Sequence, residues 1–151
     1  MKITVLYIAA DHAGWQLKED LREYLLGRGE EVLDLGNDVL DPDDDYPDFA
    51  RDLAEKVVAQ GARGILVCGS GQGVCLAANK VKGVRAALAH DEFTARTARE
   101  HLDANILCLG GRVTDLETAK KIVKNWLGAN FEEAPRHERR LSKIKEIEKE
   151  N

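Results

Sequence analysis

Short apolar runs and amphipathic stretches take turns along this chain from end to end, and few folds accommodate that rhythm. Ile3 to Ala9, Val32 to Leu35, Ile65 to Val67, Val84 to Ala89 and Ile106 to Leu109 read as strands. Between them Leu17, Leu21, Tyr24 and Leu25 recur at helical spacing, as do Ala50, Leu53, Ala54, Val57 and Val58. Further helices are expected over Val74 to Val81, Glu92 to Glu100 and Leu116 to Leu127. Repeated strand–helix alternation implies an α/β fold, a parallel sheet covered by helices on both faces. In such sheets ligands settle beyond the carboxyl ends of the strands, near a switch in strand order. No linker, repeat or low-complexity tract interrupts the 151 residues, so 1–151 reads as a single domain.

The bulk chemistry narrows the function classes. A net charge of −5 leaves no basic face for nucleic acid. No apolar run approaches the ~18 residues of a membrane span, and the start of the chain lacks a secretory signal pattern. Three cysteines without a C-x-x-C pair fit reduced thiols, hence a cytoplasmic protein. The acidic stretch Asp38 to Asp48 lacks the glycine and glutamate of a calcium loop, so it reads as a surface loop whose Asp48 caps the next helix.

The third strand carries the most chemical information. It runs into Cys68-Gly69-Ser70-Gly71-Gln72-Gly73, with glycines at alternate positions before an Ala-rich helix. Such a loop turns tightly and brings backbone N–H groups within reach of an anion. A thiol beside those groups is poised to be a thiolate, which suits proton abstraction next to a developing oxyanion. The bland alternative is a small buried hydrophobe. The glycine spacing is G-x-G-x-G and follows the third strand, not the first, so it matches a dinucleotide fingerprint poorly.

Other polar groups are expected at the same crevice. Strand one ends in Asp11-His12-Ala13-Gly14, strand five in Gly110-Gly111-Arg112, and a helix end supplies His101. Asp11 and His12 also suit a helix cap, and His101 a helix dipole. Arg136-His137-Glu138-Arg139-Arg140 stands out in an acidic chain. A helix puts Arg136 and Arg140 on one face, two forks suited to a phosphate monoester, or else a solvated patch paired with Glu132 and Glu133. Leu141, Ile144 and Ile147 give this last helix a thin apolar stripe, better suited to a neighbouring subunit than to solvent.

Together these segments resemble the ribose 5-phosphate isomerase B family, which includes the galactose 6-phosphate isomerase subunits. Asp45-Tyr46-Pro47, Ala77-Ala78-Asn79-Lys80, Gly83-Val84-Arg85-Ala86, Arg99-Glu100-His101 and Asp103-Ala104-Asn105 extend the likeness over nearly the whole chain. The resemblance implies a Rossmann-like three-layer sandwich with a five-stranded parallel sheet and a C-terminal helix packing on a partner subunit. It implies a homodimer or dimer of dimers with active sites at the subunit interface, a sugar phosphate substrate, and no metal or cofactor. By position, Cys68 matches the base that moves a proton between C1 and C2, with Ser70 beside it. The amides around Gly69, Gly71 and Gly73 would hold the enediolate oxygens. His101 matches the residue linked to ring opening, with Asp11 nearby. His12, Arg112, Arg136 and Arg140 match the phosphate-binding set, and Tyr46 a substrate contact.

Two departures stand out. Leu102 occupies the position where the family carries asparagine, so a substrate oxygen is expected to face an apolar side chain. Cys75 occupies the position where one branch places a glutamate base, so the chain has thiols at both base positions. With Cys68 present, Cys75 reads as a pocket-wall residue and Cys108 as core. The expected activity is isomerisation of ribose 5-phosphate to ribulose 5-phosphate. Alternatives are a hexose 6-phosphate, such as allose or galactose 6-phosphate, or a non-catalytic sugar-phosphate binder.

Overall fold

The computed structural model describes residues 4–151, so Ile3 lies outside the described residues. Five strands, β1 (Val5–Ala10), β2 (Glu31–Asp34), β3 (Arg63–Cys68), β4 (Ala86–Leu88) and β5 (Ile106–Gly110), pair in parallel in the order β2-β1-β3-β5-β4. The chain steps outward from β1 to β2, then returns to the other side of β1 to form β3. That reversal opens a crevice between the carboxyl ends of β1 and β3.

Helices α1 (Trp15–Gly27), α2 (Tyr46–Gln60), α3 (Gln72–Ala78), α4 (Glu92–Glu100) and α5 (Leu116–Gly128) divide between the two faces of the sheet. Side chains alternate across a strand, and the core follows that period. Ile65 and Val67 point into one cluster with Leu21 and Leu25 of α1, Ala98 of α4, and Ile122 and Trp126 of α5. Leu66 and Cys68 point into the other with Leu53 and Val57 of α2 and Val74 and Ala78 of α3. Truncating a side chain as enclosed as Leu66 costs about 2–5 kcal/mol, a large share of a small domain's stability.

The final helix, α6 (Pro135–Lys149), is different. Proline sits at its start, where a missing N–H costs nothing. Only His137 is buried on it, and Ile144 and Ile147 remain exposed.

Most element ends differ from the sequence reading by a residue or two, and three elements differ for an identifiable local reason. Asp48 does not cap α2; Pro47 fits the first turn, so the helix begins at Tyr46 with Asp45 at its N-cap and Asp48 inside that turn. The third helix starts earlier, at Gln72, and stops at Ala78 instead of Val81. Asn79 turns its side chain away to bond both backbone groups of Ala86, at 2.9 Å each. The fourth strand shrinks to three residues because Arg85 N–H donates to the Asn105 side chain at 2.7 Å instead of entering the ladder.

A cleft at the carboxyl edge of the sheet

Asp11, His12, Tyr46, Cys68, Ser70 and Arg112 line a cleft of about 610 Å³ at the crevice, together with Gly69 and Gly73. Three strand ends supply it, as the topology requires. Cys68 is the last residue of β3, and its sulfur accepts the Gly71 N–H at 3.1 Å. The bond depends on glycine at 71, where φ is +81° and a Cβ would lie 2.5 Å from Leu88 and 2.9 Å from the backbone of Leu109. A Cβ at Gly73 would strike the Tyr46 ring at 2.6 Å, so the loop and that ring lie against each other. Ser70 Oγ accepts the Gln72 N–H at 3.3 Å, which ties the hydroxyl to the start of α3.

Asp11 is buried and its Oδ1 accepts the N–H groups of Ala13 and Gly14, at 3.0 and 3.1 Å. Asp11 does not cap the helix itself: these bonds close the turn that leads into α1, whose N-cap is Gly14, and Asp11 also lines the cleft wall. His12 Nδ1 lies 2.8 Å from Asp44 Oδ1, which also accepts the His12 backbone N–H at 2.9 Å. This hydrogen bond raises the imidazole pKa above its ordinary value, reinforced by Asp11 and opposed by desolvation and by Arg112. Burial pushes the Asp44 carboxyl up, but bonds from His12 and Asn37 outweigh it and leave it below the usual range. Asp44 has no counterpart in the sequence reading. In an acidic run it looks like its neighbours, and its partner is 32 residues away.

The thiols separate cleanly by position. Cys75 has the more acidic environment: its pKa falls to about 7, chiefly through a hydrogen bond from Cys108, against burial. Burial drives Cys108 up. Yet the Cys75 sulfur faces the Ala86 carbonyl, at 3.5 Å, and Cys75 does not line the cleft. Acidity alone does not make a base; a base must reach its proton.

His101, Arg136 and Arg140 do not join this group in their own chain, contrary to the expectation for His101. A helix that follows a parallel strand runs back along the sheet, so α4 delivers His101 to the amino edge, while Cys68 stands at the carboxyl edge. There His101 stacks on His137 with ring centroids 4.4 Å apart and planes 18° apart. His137 Nε2 is buried and has no hydrogen bond, although Glu132 Oε2 is 3.4 Å away, because the two are misaligned. Arg136 reaches only Glu132, at 3.7 Å. Arg140 is exposed. Leu102 is also at this edge; it borders, with Leu141 and Ile144, a mainly apolar cavity of about 140 Å³ and does not line the cleft of its own chain. Asn105 is committed to Arg85 and Gly83, and Asp103 to Arg85 and Arg99.

Among the described residues, two groups bring metal-ligand atoms close together, Asp11 with His12 and Asp44, and His101 with Glu132 and His137. In the first, Asp11 Oδ1 and His12 Nδ1 are already hydrogen-bonded within the protein. In the second, the rings lie nearly parallel, so an ion in the plane of one stands out of the plane of the other. No helix among the described residues is long and apolar enough to cross a membrane.

Residues 6–144 match the family model described as Ribose/Galactose Isomerase. The chain is 52% identical over 148 residues to the probable ribose-5-phosphate isomerase B of Mycoplasma genitalium, covering 96% of each. It is 42% identical over 139 residues to ribose-5-phosphate isomerase B of Escherichia coli, covering 91% of this chain and 92% of the relative. Among solved structures, the Mycoplasma genitalium isomerase with bound ribulose-5-phosphate superposes with a TM-score of 0.94, at 48% identity over the whole of both chains.

Proposed function

The chain belongs to the ribose/galactose isomerase family and is an aldose–ketose isomerase; from that premise we propose that it interconverts ribose 5-phosphate and ribulose 5-phosphate through an enediolate, with Cys68 as the base. One observation carries the assignment of the base. Of the three thiols, Cys68 alone lines the cleft, and it ends a strand directly ahead of a loop rich in backbone N–H donors.

In the open-chain aldose the Cys68 thiolate takes the proton from C2, and the electrons move onto the C1 oxygen. Amides of the Gly69 to Gly73 loop other than those of Gly71 and Gln72, which are bonded to Cys68 and Ser70, hold the resulting enediolate, each well-aimed donor contributing roughly 3–4 kcal/mol to the transition state. The thiol then returns the proton to C1 while the O2 proton passes to O1, giving the ketose. Ser70 is held beside the base, and Tyr46 and Asp11 shape the walls around the sugar. His12 and Arg112 bind the phosphate from the same chain.

His101 suits protonation of the furanose ring oxygen, and Arg136 and Arg140 suit the phosphate, but all three belong to the opposite edge of the molecule. A second copy related by a two-fold axis supplies them: the amino edge of one chain closes the cleft of the other. The exposed apolar residues on α6, at Ile144 and Ile147, are in keeping with such a contact.

The test is to assay isomerisation of a panel of pentose and hexose phosphates by the wild type and by Cys68→Ala. Turnover of ribose 5-phosphate that disappears in the variant, while sugar phosphate still binds, supports the reading. Exclusive turnover of a hexose 6-phosphate would replace the substrate, and full activity in Cys68→Ala would remove the base.

A further inference from the structure

Asp44 sits in the loop between β2 and α2 and makes more polar contacts than any other residue of that acidic run. Its side chain is almost enclosed, with 7% exposure. Oδ1 accepts both the backbone N–H and Nδ1 of His12, while Oδ2 accepts Asn37 Nδ2 at 3.0 Å. Asn37 is itself anchored, since its carbonyl accepts from Lys18 Nζ at 2.6 Å and from Trp15 Nε1 at 3.1 Å. The Lys18 ammonium is fully buried and also spans both oxygens of Asp34, at 2.8 and 3.0 Å. Asp34 Oδ1 in turn accepts the Gly36 N–H at 2.9 Å. A chain of charge-assisted bonds therefore runs from the core lysine through the loop to the imidazole. Breaking a buried pair of this kind leaves an uncompensated charge, so the loop is held firmly in place.

The consequence concerns which nitrogen of His12 meets the substrate. A carboxylate only accepts hydrogen bonds, so Nδ1 must carry the proton that Asp44 receives. Nε2 has no protein partner among the described residues, and His12 lines the cleft. We propose that Asp44 is a positioning residue for His12: it fixes the ring with Nδ1–H inward and Nε2 outward, so that the protonated ring donates Nε2–H to the phosphate of the substrate. This rests on the reading of His12 as a phosphate ligand. The charged groups facing His12 are Asp44 from the β2–α2 loop, Asp11 from its own loop and Arg112 from the loop after β5; Tyr46 and Cys68 line the same cleft. Asp44 and Asp11 favour the imidazolium and Arg112 disfavours it. A doubly protonated ring gives the phosphate a charge-assisted donor, whereas the neutral ring, with its proton on Nδ1, presents an Nε2 that only accepts. The sign follows directly: His12's contribution is full below its raised pKa and is lost as pH rises through it.

The experiment compares wild type, Asp44→Asn, His12→Ala and the double variant, all as the intact protein. NMR of the ligand-free protein follows the His12 ring resonances with pH, and inorganic phosphate is the binding probe. In Asp44→Asn the His12 titration is expected to move to lower pH, and phosphate affinity near neutrality to fall by about tenfold, the loss of one charge-assisted donor. In the His12→Ala background the same Asn substitution is expected to change phosphate affinity by less than about twofold, because the two residues act as one unit. A merely structural role for Asp44 would weaken phosphate equally in both backgrounds and leave the His12 titration in place, and that pair of results overturns the proposal. Unchanged phosphate affinity in His12→Ala would instead retire His12 as a phosphate ligand, while the titration still judges whether Asp44 positions the ring.

Discussion

The two edges of the sheet make an instructive contrast. At the carboxyl edge four polar groups are engaged within the chain: Asp11 with two amides, Ser70 with the Gln72 amide, His12 with Asp44, and Cys68 with Gly71. At the amino edge a comparable set of chemically able residues is left half-used. His101 stacks on His137, whose buried Nε2 has no hydrogen bond, and Arg136 touches only a distant Glu132 oxygen. Buried polar atoms in folded proteins normally have partners. The first edge is a preorganised site built by one chain; the second has the character of a surface that awaits one.

The largest way to break this contrast is at the thiols. Cys68→Ala is expected to lower kcat by about 10³-fold or more, in line with loss of a positioned base, while Cys75→Ala lowers it by less than about threefold. Equal losses in steady-state assays of the two variants would dissolve the distinction drawn from position. Next comes His101→Ala, where loss of a positioned acid costs roughly 10²-fold on the furanose form. Presteady-state assay with substrate enriched in the open-chain form should recover much of that loss.

Arg136→Ala and Arg140→Ala are expected to raise KM by about tenfold each, since a charge-assisted hydrogen bond is worth roughly 1.5–3 kcal/mol. Inhibition by inorganic phosphate should weaken in parallel. If KM holds while kcat falls, the arginines do not bind the phosphate. The smallest effect concerns Leu102. Because it borders Leu141 and Ile144, Leu102→Asn should cost about 1 kcal/mol in denaturant unfolding through lost apolar cover. Turnover should change by less than about threefold. A large gain in turnover would mean that Leu102 faces the sugar after all.

How much of this was legible in the sequence depends on how local the governing interaction is. Strands such as Ile65 to Val67 announced themselves because both of their faces are enclosed, leaving an unbroken apolar run. The loop after Cys68 was legible because glycine is required where backbone and side chains approach closely. The ends of β4 and α3 were not, since two asparagine side chains far from each other in sequence set them. The misplacement of His101 was avoidable: in a parallel sheet every crossover helix runs back, so its last residue belongs at the opposite edge from the strand end that precedes it. Asp44 was out of reach, because nothing in an acidic run marks which carboxylate will meet a distant histidine.

The central claim is that the two edges, taken from different chains, form one site. Complementation tests it most directly. Cys68→Ala and His101→Ala proteins, each nearly inactive alone, are unfolded together, refolded as a mixture and assayed against each protein treated the same way. Random pairing makes half of the dimers hybrids, and in a hybrid one of the two sites receives Cys68 from one chain and His101 from the other, so about a quarter of wild-type activity is expected. A mixture no more active than its components, with hybrid dimers shown to be present, would place both residues in a single chain's site and contradict the account.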